Sequence, residues 1–178
     1  MKNKVLIVSL LLVVLVCVSW TWGEDLHRNR HDCQVISGRL TETLMDPLGA
    51  PADQLGRVIG NATGFLNGAE TAIVLNIYPP GEDGTIQVDT INVFSPELGD
   101  TLITEGAAVF TPIPGTTNVQ DDLILEIRPN QSTGRFAGAT GTIHLEGLGF
   151  NVIPQPIPGR TQFLFRYHGR ICGMNDGR

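Results

Sequence analysis

From residue 34 onward one pattern recurs: apolar and polar residues alternate in short runs, and the runs are broken by Gly, Pro, Asn or Asp. A period of two sends successive side chains to opposite faces of a strand. No convincing stretch carries the 3.6-residue repeat of an amphipathic helix. The chain is therefore expected to fold as an all-β domain of half-buried antiparallel strands.

The pattern predicts eight strands, at about Gln34–Leu44, Arg57–Phe65, Glu70–Tyr78, Thr85–Phe94, Asp100–Thr111, Asp121–Arg128, Arg135–Leu148 and Arg160–Cys172. Asn67-Gly68 is a hairpin signal, and Pro79-Pro80-Gly81, Ser95-Pro96 and Pro129-Asn130 close other runs. Asp46–Leu55 is rich in Pro, Gly and Ala and has room for one helical turn. Ile73, Leu75 and Ile77 share one face of their strand, as do Leu123, Leu125 and Ile127, and Phe163, Phe165 and Tyr167. The polar faces carry Asp122, Glu126 and Arg128, then Arg166, His168 and Arg170.

Residues 1–23 read as a signal peptide. Lys2 and Lys4 precede an apolar run from Val5 to Val18, and Thr21 and Gly23 are small residues placed for cleavage before Glu24. The alternative is an uncleaved anchor over residues 5–22, whose eighteen residues fall just short of the roughly 20 a membrane span needs. The protein is thus expected to be secreted, periplasmic or extracellular, with a membrane as partner only if the segment stays. Residues 24–32 are a polar linker, and 33–178 form the domain. His27, His31, Asp32 and Cys33 lie close together, but the run lacks periodicity and reads as solvated linker, so no metal site is expected.

After cleavage the chain keeps ten arginines, no lysine and eighteen acidic residues, a formal charge of −8. That balance opposes nucleic acid as a partner. Without lysine there is no Schiff-base catalysis and no Walker-type phosphate site. No Ser/His/Asp arrangement, G-x-S-x-G or H-E-x-x-H occurs, and no cofactor is expected. Glu82, Asp83, Asp121 and Asp122 read as turn residues whose spacing matches no calcium loop.

Two cysteines remain, Cys33 and Cys172. In an exported protein such a pair reads as a disulfide; the alternative is two buried thiols. Eight strands with short turns allow an up-and-down barrel or a sandwich. In the barrel the first and last strands are neighbours, and antiparallel pairing sets Cys33 beside Cys172. The expected fold is therefore a single eight-stranded antiparallel up-and-down barrel, calycin-like, riveted at its closing seam.

Residues 134–143 read G-R-F-A-G-A-T-G-T-I. This run resembles the penultimate-strand motif of the allene oxide cyclase-like barrels, a fold shared with the dirigent proteins. The resemblance is strongest over Asp121–Cys172. It implies a barrel with an apolar, ligand-accepting lumen, which in plant members guides cyclisation or radical coupling without a cofactor. It carries over no catalytic residue. The glycines themselves are explained by kinks or close backbone approach in a small barrel.

Thr142, His144 and Glu146 share a face of the seventh strand, and Arg166, His168 and Arg170 a face of the eighth. If this row faces inward, His144, Glu146, Arg166 and His168 are the candidate catalytic groups, with a histidine as general base. If it faces outward it is a solvated charge ladder, which the need to bury Phe163, Phe165 and Tyr167 favours. Three functions follow from the sequence: a barrel binding a small hydrophobic molecule, a cofactor-independent cyclase or isomerase, or a structural module that self-associates.

Overall fold

A computed structural model of the chain describes residues 32–45 and 55–175. The segment expected to be a signal peptide (1–23), the expected linker up to residue 31, and nearly all of the segment expected to hold a helical turn lie outside the described residues.

The alternation resolves into β1 (Cys33–Met45), β2 (Gly56–Gly64), β3 (Gly68–Ile77), β4 (Ile86–Ser95), β5 (Leu102–Pro112), β6 (Val119–Ile127), β7 (Thr140–Phe150) and β8 (Gln162–Cys172). Each pairs antiparallel with its neighbours in sequence, and β1 pairs with β8, closing an up-and-down barrel. Closure leaves no unpaired sheet edge. Cys33 and Cys172 are register partners on the β1–β8 seam and are joined as a disulfide.

Up-and-down order puts the β2–β3, β4–β5 and β6–β7 connections at one end and the other connections at the opposite end. The first end is filled. Leu66, Phe94, Leu102, Phe136 and Ile171 are all essentially inaccessible there. Tyr167 reaches across this layer: its hydroxyl donates to the Thr63 carbonyl and accepts the Leu66 N–H, both at 2.8 Å. A side chain at position 38 would overlap that hydroxyl, so Gly38 is what lets Tyr167 lie flat across β1.

The glycine-rich run differs from expectation. Its first half is not strand: Gly134–Phe136 form a 3₁₀ turn, and β7 begins only at Thr140. The turn drives Phe136 into the filled end. Gly134 has φ +60° and its α-carbon packs against Asp100, where an added Cβ would collide. Asp100 accepts the Arg135 N–H at 2.9 Å and pairs with the Arg135 guanidinium at 3.2 Å. That guanidinium covers the rings of Phe65 and Phe136.

Two further corrections concern phase. Asp121 and Asp122 are not turn residues; β6 starts at Val119 and includes both, Asp121 facing in and Asp122 out. On β3 the inward row is Glu70, Ala72 and Val74, while Ile73 and Leu75 lie on the half-buried outer face. A bulge between Val74 and Asn76 then reverses the phase, so Ile77 turns toward the lumen.

Candidate functional site

An eight-stranded barrel has an interior just wide enough to be filled by side chains or to hold one small ligand. Residue size decides between the two along the axis. Toward the open end the inward positions are small: Gly56 and Val58 on β2, Ala72 and Val74 on β3, Val88 on β4 and Ala108 on β5. They leave a cavity of about 430 Å³, within the range of small-molecule sites. Phe110, Phe163 and Phe165 form a stacked aromatic wall along one side, with ring centroids 5.7 and 6.1 Å apart. Val152, Gln155, Pro156 and Pro158, from the β7–β8 connection, line its mouth.

The cavity also meets carboxyl groups. Glu42 on β1 and Asp121 on β6 line it, exposed by only 7% and 2%. Glu70 on β3 is as deeply buried as Asp121. Glu42 pairs with Gly60 and Gly60 with Glu70, so the three positions form one row across β1, β2 and β3. Gly60 has no side chain to separate the acids; a Cβ there would meet Glu42 Cγ at 2.8 Å and Glu70 Oε2 at 2.9 Å. The two glutamates meet over that gap.

Burial sets their protonation. Loss of water raises Glu42 from its ordinary 4.5 to about 7, against the lowering effect of its hydrogen bond with Glu70. Burial first, then the Glu42 charge, pushes Glu70 well above the carboxylate range. Two carboxyls bond each other only when one holds a proton, so burial and contact together favour one proton shared between Glu42 and Glu70. Apart from each other, Glu42 Oε1 and Glu70 Oε2 have no hydrogen-bond partner. Glu70 Oε1 accepts from Asn92 Nδ2 at 3.0 Å, and the Thr90 hydroxyl donates to Asn92 Oδ1 at 2.9 Å. Asp121 is likewise raised, by burial and then by the Glu42 charge, and its Oδ1 has no hydrogen-bond partner. Among the described residues, no basic side chain lines the cavity.

The residues singled out from sequence lie elsewhere. His144, Glu146, Arg166 and His168 all sit on the outer surface of β7 and β8, since their neighbours Ile143, Leu145, Phe165 and Tyr167 take the inward positions. They do come together: Glu146 is the register partner of Arg166, and the rings of His144 and His168 meet edge-on at 5.0 Å. Asp122, His144 and Glu146 also bring ligand-type atoms within 4.8 Å of one another. His144 already directs Nε2 to Asp122 at 2.9 Å and Nδ1 toward Glu146 at 3.6 Å, and both carboxylates are more than half exposed. This is the solvated charge ladder.

The inward acids did leave a sequence signal. Glu42 is in phase with Ile36, Leu40 and Leu44, and Asp121 with Val119, Leu123, Leu125 and Ile127. An acid in the apolar row of a strand is the mark of a buried polar site. Comparison of the chain with protein-family models, curated proteins and solved structures finds no match. The lumen itself is thus the ground for any functional reading.

Proposed function

We propose that this chain is an exported β-barrel that holds one small, largely apolar molecule in its lumen. The observation that carries the reading is the cavity of about 430 Å³, apolar and aromatic over most of its lining, with Glu42 and Asp121 among its few polar groups. Pockets with apolar walls and a few converging polar groups are the usual form of a small-molecule site. Export is supported by the basic-then-apolar N-terminus and by the Cys33–Cys172 bond, which belongs to oxidising compartments. The resemblance of residues 134–143 to the allene oxide cyclase-like barrels agrees with a ligand-accepting lumen.

The position of Glu42 favours a second reading on the same scaffold, a cofactor-independent isomerase or cyclase. A cavity-lining carboxyl held near 7 can both accept and return a proton at neutral pH.

The first reading is tested with prodan, a neutral apolar dye. The wild-type chain is expected to bind it one to one with a blue-shifted emission. Ala108→Phe and Val88→Phe fill the lumen from register partners on β5 and β4. Each is expected to weaken binding by about tenfold or more while still unfolding cooperatively. No binding by the wild type, or equal binding by filled variants, refutes the reading. Turnover lost in Glu42→Gln with dye binding retained would identify the enzyme.

A further inference from the structure

The lumen has a charge pattern that an apolar pocket alone does not require. Charged side chains are almost never fully buried unless paired. Here Glu42, Glu70 and Asp121 are all buried, and Glu42 and Asp121 line the cavity. Among the described residues, the groups that bond Glu70 are another acid, Glu42, and the amide of Asn92. Asp121 Oδ1 has no hydrogen-bond partner. Gly60, beside Glu42 and Glu70 in register, leaves the space that these two carboxyl side chains occupy.

An ionised carboxylate accepts hydrogen bonds and donates none. Beyond the proton between Glu42 and Glu70, what the lumen acids lack is a donor, and a cationic one gains most, because charge-assisted bonds are about twice as strong as neutral ones. A metal ion is a poorer fit. Among the described residues, the acid and histidine atoms close enough together to hold one are those of Asp122, His144 and Glu146 on the outer surface, not the lumen acids. A ligand carboxylate would add a negative charge to a cavity lined by acids and no base. The apolar and aromatic walls require that the rest of the ligand be hydrocarbon, and an aromatic face tolerates a passing cation.

We propose that the lumen selects molecules with a protonated amine on a compact apolar body, the ammonium seated between Glu42 and Asp121. This inference rests on lumen binding and names its ligand class. An ammonium offers three donors, enough to bond both carboxyls at once. The overall acidity of the chain also raises the local concentration of cations at the mouth.

The test displaces prodan with three molecules of one shape: 1-aminoadamantane, 1-adamantanol and adamantane-1-carboxylate, at pH 7.5. The amine is expected to bind about tenfold more tightly than the alcohol, with the carboxylate weakest. In the Glu42→Gln, Asp121→Asn double variant the ratio of amine to alcohol affinity is expected to shrink to about twofold; the single variants serve if the double one does not fold. Prodan binding without amine preference overturns this inference and leaves lumen binding intact. An amine preference that survives the substitutions also overturns it, because the recognition then lies elsewhere. Failure of prodan to bind defeats the lumen reading and this inference with it.

Discussion

Replacing Glu42 with Gln probes the buried acids without changing their shape. The carboxyl lies in a water-poor row where its charged form is disfavoured, so it moves from 4.5 to about 7 on folding. That displacement corresponds to about 3 kcal/mol of preference for the neutral form. Below pH 4.5 the group is protonated in both the barrel and the unfolded chain, and wild type and variant should be nearly equal in stability. Between 4.5 and 7 the unfolded chain releases the proton while the barrel keeps it. The folded state then binds more protons, and stability falls as pH rises. Above about 7 the full cost is present. Glu70 and Asp121 are raised in the same direction, with the Glu42 charge among the causes, so removing that charge relieves them as well. The difference in unfolding free energy, Glu42→Gln minus wild type, is therefore expected to be near zero at pH 4 and to reach about +3 kcal/mol at pH 8. Urea melts at several pH values, fitted with a common m-value, give this difference directly, and the carboxylates outside the Glu42, Glu70 and Asp121 group cancel. A difference that is flat with pH, or larger at pH 4 than at pH 8, refutes the buried, proton-holding state of Glu42.

Other expectations follow from single contacts. Tyr167→Phe removes both hydrogen bonds at the filled end and leaves a buried N–H unpaired, so it should cost about 1–3 kcal/mol in urea melts with unchanged m. Phe136→Ala empties the plug, where Phe136 is fully inaccessible; a loss of about 3–5 kcal/mol is expected, and a loss below about 1 kcal/mol would show that the 3₁₀ turn does not seal the barrel. Denatured, unreduced protein should titrate no thiol at Cys33 or Cys172. Replacing both by Ser opens a loop of 139 residues and should lower stability by about 4–5 kcal/mol on the chain-entropy argument.

Much of the fold was legible because its determinants are local. Period-two alternation, turn residues and the cysteines at the outer ends of the first and last strands together specify eight antiparallel strands closing on themselves. The outward ladder of Arg166, His168 and Arg170 followed from the need to bury the aromatic residues between them. The glycine-rich run was harder: its composition is that of a kinked strand, and only contact with Asp100 makes Gly134–Phe136 a turn that plugs the barrel. On β3 both rows are apolar beyond Glu70, so alternation cannot say which faces in. Size decides instead, because the narrow lumen takes Ala72 and Val74 and leaves Ile73 and Leu75 to the outer face.

The amino-acid sequence by itself determined that this chain forms antiparallel strands, that Cys33 and Cys172 end up side by side, and that the chain is acidic. Those properties depend on the order of residues along each strand and on the order of the strands. Where the cavity lies, that Glu42 and Asp121 line it, and that Glu70 is buried against Glu42, only the tertiary structure decided. The acids are 28 and 51 positions apart in sequence. Glu42 and Asp121 face one lumen because the strands close into a barrel, and Glu42 and Glu70 touch because Gly60 leaves the space between them.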